Sequence, residues 1–243
     1  MFISYYFAVS FLTLIFIVIY YMSTQNVEDY LEAATLKSTA EDFDGALADI
    51  ELAMTIAPNN PDVHCEKGII LLELMEYDDA LACFNKALEF DNSHDDSYFY
   101  RAEAYFELEN YSASIADYDK VLELTPDDAD AYFGRGNVHL ELENYPTALL
   151  DYNQSIELDG EQPDVYFNRG IVYHETEKLQ EAVESYTKAI ELDPKYGEAF
   201  CNRGIIKYKL GDKPGAKLDL QEAARLDVVE AEEYLDEYDL SNA

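Results

Sequence analysis

The chain has 243 residues, 51 acidic and 16 basic, and a formal charge of −35 at pH 7. That charge excludes a grip on nucleic acid, which needs Lys and Arg to neutralise phosphate, and excludes electrostatic docking on an anionic membrane surface. An apolar fraction of 49%, with 21 Tyr and 12 Phe, excludes a disordered chain, because that much apolar surface offsets the entropy of ordering, and the length suits one domain or two small ones.

Residues 1–22 are a different material from the rest. Phe2 to Met22 is 21 residues without a charge. At 1.5 Å per residue this spans roughly 30 Å, the hydrocarbon thickness of a bilayer. Tyr5, Tyr6, Tyr20 and Tyr21 sit near its ends, as an aromatic belt does. The pattern predicts a single transmembrane anchor, so that the protein is a single-pass membrane protein. A cleaved signal peptide is the alternative, but no Lys or Arg precedes the run, and Tyr20, Tyr21 and Met22 are too bulky for a cleavage site. The first basic residue is Lys37, so the flank lacks the nearby cations of a cytoplasmic side, and the acidic domain is expected outside the cytoplasm. Residues 23–26 form a short linker.

From Val27 the sequence repeats every 34 residues, starting again at Pro61, Asp95, Ala129, Pro163 and Gly197 and ending at Glu230 without an insertion. Position 8 of the period is Ala34, Gly68, Ala102, Gly136, Gly170 and Gly204. Position 20 is Ala46, Ala80, Ser114, Ala148, Ala182 and Ala216. If about a fifth of residues are small, one such column arises by chance about once in ten thousand. Position 4 is Tyr30, His64, Tyr98, Tyr132, Tyr166 and Phe200, and position 24 is mostly aromatic (Phe84, Tyr118, Tyr152, Tyr186).

Each period reads as two helices, A then B, because apolar residues recur at spacings of three and four. Small residues at positions 8 and 20 let the two axes approach, and the aromatics fill the space beside them. Pro58, Pro126, Pro194 and Gly160 at position 32 end helix B. Residues 231–243 are too few for another pair and carry the large Tyr238 at position 8, so they are expected as a C-terminal capping helix.

This in-phase pattern resembles the tetratricopeptide repeat. Asn168–Gly170 and Asn202–Gly204 (NRG) and Lys188–Pro194 (KAIELDP) are similar to bacterial members. The resemblance implies an all-α fold: a right-handed α-solenoid of six helix pairs plus the capping helix, preceded by the transmembrane segment. The pairs are 27–60, 61–94, 95–128, 129–162, 163–196 and 197–230.

The resemblance also implies that positions 2, 5, 9 and 12 of helix A face a concave groove. The candidate peptide-binding residues are then Ile69, Leu72, Phe99, Glu103, Phe106, Phe133, Asn137, Leu140, Phe167, Ile171, His174 and Tyr208. Cys65 and Cys201 share position 5, and Ile205 shares position 9. Some of these side chains are alternatively packing residues against the next repeat. Position 2 is acidic throughout, from Glu28 and Asp62 to Glu198, and a carboxylate in a first helical turn is stabilised by the helix dipole whatever else it does. The expected partner is a protein or peptide with apolar anchors and basic flanks. Positions 5, 9 and 12 contain no Lys or Arg, which excludes the family's carboxylate clamp. Arg101, Arg135, Arg169 and Arg203 at position 7 are expected to meet Asp117, Asp151, Ser185 and Asp219 at position 23.

No catalytic, metal or cofactor site is expected. Cys65, Cys83 and Cys201 have spacings that match no zinc pattern. Gly134-Arg-Gly136 lacks the third glycine of a dinucleotide loop. Asp91–Asp96 lacks the Gly and the terminal Glu of a calcium loop. Two functions follow: a membrane-anchored interaction module that binds a peptide in its groove, or a structural scaffold that assembles as a homo-oligomer.

Overall fold

The protein is described by a computed structural model, in which residues 26–240 are placed. The apolar segment 2–22 and the anchor or signal peptide expected there lie outside the described residues. Among those residues no helix is long and apolar enough to cross a membrane. They form thirteen α-helices and no strand.

Two compact units divide the chain at Leu108 and Glu109. The first contains α1 (Val27–Thr39), α2 (Phe43–Ile56), α3 (Pro61–Glu73), α4 (Tyr77–Phe90) and α5 (Asp95–Glu107). The second contains α6 (Tyr111–Leu124), α7 (Ala129–Glu141), α8 (Tyr145–Leu158), α9 (Pro163–Glu175), α10 (Leu179–Leu192), α11 (Gly197–Lys209), α12 (Lys213–Arg225) and α13 (Val229–Glu237).

Within the pairs that lie inside one unit the small residues set the approach of the helices. A Cβ added to Gly136 would lie 2.7 Å from the Tyr152 ring, and one on Gly170 would lie 2.6 Å from Tyr186. Where position 24 is the slimmer Ile50, position 8 is Ala34, and both are fully buried. In that pair the slimmer side chain at position 24 leaves room for the extra methyl at position 8.

Positions 3 and 10 of helix A, unremarked in the sequence, are also part of the core. Val63 and Ile70 pack with Ala46, Ile50 and Ala53 of the preceding pair. Val165 and Val172 pack likewise on Ala148 and Tyr152, and Ala199 and Ile206 on Ala182, Tyr186 and Ala189. Helices α3, α9 and α11 thus turn one face to their own helix B and another to the pair before them.

The turns have two kinds. From helix A to helix B the chain passes through position 15 in the left-handed region, at Glu41, Met75, Glu143, Glu177 and Gly211. There an amide beyond the helix end bonds back to the last turn, as Asn144 N–H does to the His139 carbonyl at 2.8 Å. From helix B to helix A, helices end at position 31 (Ala57, Asp91, Asp159, Asp193) in non-helical conformation, and the next helix is entered from position 34.

The last connection departs from this rule. The terminal helix, expected from Ala231, begins at Val229 instead. Position 32 here is Val228 rather than a helix breaker, and Asp227 has φ +65°. The turn Leu226–Val228 is therefore of the kind that elsewhere joins A to B. Its end bond runs from Val228 N–H to the Ala223 carbonyl at 3.1 Å. Gly197 makes room for it, since a Cβ there would lie 2.6 Å from Val228 Cγ2. Ala231 and Leu240 are buried against Cys201, Leu220 and Ala223.

Candidate functional site

Positions 5, 9 and 12 lie on the helix-A flank not consumed by positions 3, 8 and 10. In the first unit Ile69 and Leu72 are half-buried against a core that includes Cys65, Phe84 and Ala104. Phe99 meets Tyr100 edge-on, with centroids 5.3 Å apart, and Glu103 and Phe106 are half-buried on the same helix, α5. Burial, then the Glu103 carboxylate, pushes the Tyr100 phenol up to about 12.

In the second unit Phe133 and Leu140 are half-buried against the Tyr152 core, the Phe133 and Tyr152 rings 6.0 Å apart. Phe167 stacks on Tyr196 at 4.8 Å and tilts against Tyr186 at 5.7 Å. Ile171 packs beside it.

Three predicted residues are engaged within the fold. The Asn137 side-chain carbonyl accepts from Tyr152 Oη and from Asn168 Nδ2, both at 2.9 Å, so both of its lone pairs are used inside the unit. His174 Nε2 is 2.7 Å from Lys209 Nζ, the ammonium donating to a neutral imidazole. Burial, with Lys209 next, holds His174 below its ordinary pKa. Tyr208 lies flat against Tyr238 of the C-terminal segment, centroids 3.8 Å apart and 3° from parallel. That face of Tyr208 is closed to a guest. Cys65 and Cys201, at position 5, are 3% and 5% exposed.

The position 7 cations do not reach the groove flank. Arg135 donates to Asp151 through Nε and Nη2 at 3.0 and 2.7 Å, and Arg203 reaches Asp219 in the same way at 2.8 and 2.7 Å. Arg169 finds Ser185 Oγ at 3.2 Å. A second partner, unseen in the sequence, is position 25 of the preceding repeat: Asp119 for Arg135, Asn153 for Arg169 and Thr187 for Arg203.

The acid at position 2 also has a structural use. Asp62 is bonded by His94 at 3.0 Å, Asp130 by Gln162 at 2.8 Å and Asp164 by Tyr196 at 2.7 Å. Each partner stands at position 34, just before the next helix A.

At the C-terminal end of the second unit is a cavity of about 470 Å³. Phe167, Cys201 and Ile205 form one wall, and Leu226, Val228 and Tyr234 form another. Glu198, Asp227, Glu230 and Asn202 also border it. The first wall comes from groove positions named in the sequence. The second was missed, although Val228 in place of a breaker was the signal that this turn would differ. Among the described residues no cluster of side chains could hold a metal ion.

Sequence models of the tetratricopeptide repeat match residues 61–94, 102–143, 136–177 and 172–211. No curated protein matches significantly. Among solved structures, Pseudomonas aeruginosa pilF is similar in fold, with a TM-score of 0.78 at 17% identity, over 87% of this chain and 97% of that one. YrrB, described as a TPR protein with an unusual peptide-binding site, gives 0.62 at 22%, over 77% and 97%. MamA from Desulfovibrio magneticus RS-1 gives 0.63 at 20%, over 69% and 94%. At these identities the likeness speaks for the fold. The matched stretches, 61–94 and 102–211, make up more than half of the 243 residues, and the chain belongs to the tetratricopeptide-repeat family.

Proposed function

We propose that the protein is a membrane-anchored interaction module, held by residues 2–22, whose helix-A flank binds a peptide or an extended segment of a partner protein. One observation carries this reading. Phe133, Leu140, Phe167 and Ile171 in one unit, and Ile69, Leu72, Phe99 and Phe106 in the other, are half-buried while positions 3, 8 and 10 complete the core. Apolar rows that the fold does not itself cover are the common mark of an interaction surface. Tetratricopeptide folds generally serve protein interaction, and the peptide-binding site named for YrrB supports a peptide as the ligand class. The charge of −35 favours partners with basic flanks, whose arrival it accelerates.

The test is photo-crosslinking capture by the full chain in a nonionic detergent, set beside Phe99→Ala/Phe133→Ala/Phe167→Ala. Buried aromatics dominate interfaces, so captured partners should fall at least about tenfold in the variant while its helicity is unchanged. An identical set of partners on the variant retires the groove. A defined oligomer in light scattering that dissociates in the variant assigns the same surface to self-assembly.

A further inference from the structure

We propose that His94 is a pH-sensitive joint between the second and third repeats: neutral, it caps α5 and holds that helix in place, and protonated, it releases the first turn of α5. Because α5 carries Phe99, Glu103 and Phe106 of the groove flank, the inference rests on the peptide-binding reading and deepens it by naming a regulator of that site.

The hydrogen bonds fix the state of the ring. His94 stands at the N-cap of α5. The Ser97 backbone N–H reaches its Nδ1 at 3.2 Å, and Ser97 Oγ reaches the same atom at 2.9 Å. A backbone N–H can only donate, so Nδ1 is the acceptor and carries no proton. The proton is then on Nε2, which donates to Asp62 Oδ1 of α3 at 3.0 Å. One neutral imidazole thus ties α5 to α3 through its two nitrogens. Protonation acts on the two ties unequally. Nε2 remains a donor, and its bond to the carboxylate becomes charge-assisted. Nδ1 turns from acceptor into donor and opposes the Ser97 N–H, so the cap is lost.

This repeat departs from the pattern of the others at both positions together. Position 3 of helix A is Val63, Ala131, Val165 or Ala199 elsewhere, all fully buried, and Ser97 is as buried as they are. A hydroxyl in that place needs a partner inside the fold, and His94 supplies it, with the Cys65 thiol also in hydrogen-bond contact. The side-chain caps that open other A helices are Asn26, Asn60 and Asp128. Of these residue types, imidazole is the one whose ordinary charge change falls between about pH 5 and 8. Ser97, His94 and Asp62 have the composition of a hydrolytic triad, but a hydroxyl with no exposed surface cannot reach a substrate carbonyl. The chain of bonds serves the joint.

The surroundings give the charged ring somewhere to stay. Asp62 faces it from α3, Asp91 stands at the end of α4, and Asp95 and Asp96 open α5 beside it. His94 acts on Asp91: after the two hydrogen bonds from Ser93, it helps to hold that carboxyl below its usual range. Glu66 of α3 lies one turn further along, acting with Asp96 on Cys65. The other imidazole of α3, His64, is engaged by the Pro58 carbonyl at 2.8 Å. An imidazolium formed here therefore has counter-charge from both helices and from the turn between them. The His94 side chain is only 10% exposed, so water does not take over the orphaned Ser97 N–H unless α5 moves.

The experiment uses the full chain in nonionic detergent at about pH 7.5 and about pH 5.5. NMR of isotope-labelled histidine should find Nδ1 of His94 without a proton at the higher pH. Hydrogen exchange, corrected for its intrinsic pH dependence, should show protection of the first turn of α5 falling about fivefold at the lower pH, the usual worth of an N-cap. His94→Asn keeps a capping oxygen that does not titrate, so its protection should be the same at both pH values. His94→Ala should lack that protection at both. A proton on Nδ1 at the higher pH, unchanged protection in the unaltered chain, or a pH response that survives His94→Asn overturns the joint. Photo-crosslinked partner capture should fall on acidification in the unaltered chain and hold in His94→Asn. Capture that ignores pH, or that falls equally in His94→Asn, overturns the regulation. Absence of capture at both pH values instead retires the groove, and hydrogen exchange judges the joint separately.

Discussion

His174 illustrates how a side chain on the groove flank is tuned by its neighbours. Burial and the Lys209 ammonium hold its pKa below the usual value, and Glu175 opposes them only weakly. The unfolded chain therefore takes up this proton at a higher pH than the folded one. The stability that neutral His174 contributes is whole above its unfolded pKa of about 6.5 and is lost as pH falls through the lower folded value. Proton NMR should place the His174 titration below that of a free histidine, and Lys209→Ala should move it upward. An unchanged midpoint in the variant would remove Lys209 from the account. The same pair has a binding consequence, because an anionic group reaching this end of α9 meets the Lys209 ammonium next to His174.

At the scale of the element, position 7 joins three helices at once. Arg135 ties α7 to Asp151 of α8 and to Asp119 of α6, and its guanidinium is held firmly protonated by Asp151 first and Asp119 after it. Arg135→Met leaves the buried Asp151 without its partner and should cost about 2–3 kcal/mol. Arg169→Met faces Ser185 and Asn153 and should cost clearly less. Urea unfolding midpoints of the two variants provide the check. Equal midpoints would make these bonds ornaments of the surface.

The same elements show what the sequence could reveal. The 34-residue period, the small residues at positions 8 and 20 and the Arg–Asp pairing were legible because each leaves a column of one chemical type. The left-handed residue at position 15 was not, since Glu41, Glu143 and Glu177 stand where glycine would have announced it. The strain is of order 1 kcal/mol, and the hydrogen bonds that close the helix end offset it. The role of position 2 was hidden for a different reason. Its donors, His94, Gln162 and Tyr196, share no chemical type, so position 34 forms no column. Of the groove set, Tyr208 and Asn137 were engaged by partners that a linear reading places far away or in another repeat.

For the whole molecule the governing quantity is charge. Several of the 16 basic residues are spent inside the fold, as Arg135, Arg203 and Lys207 are on Asp151 and Asp219. They do little to dilute the acidic exterior, whose self-repulsion opposes folding. Raising sodium chloride from about 20 mM to about 300 mM shortens the Debye length severalfold and should raise the melting temperature. A melting temperature that falls with salt would show that attractive pairs outweigh the repulsion.

The turn at Leu226–Val228 has a consequence for how this lineage of repeats can lengthen. Duplication adds a unit cleanly only where the joint it creates is the joint already used upstream. Here the final helix sets off two residues ahead of register, and Glu230 stands where a capping side chain would be required. A seventh copy grafted after Glu230 would arrive rotated against its predecessor, so growth at this terminus demands a breaker at 228 and a cap at 230 before any new module can dock.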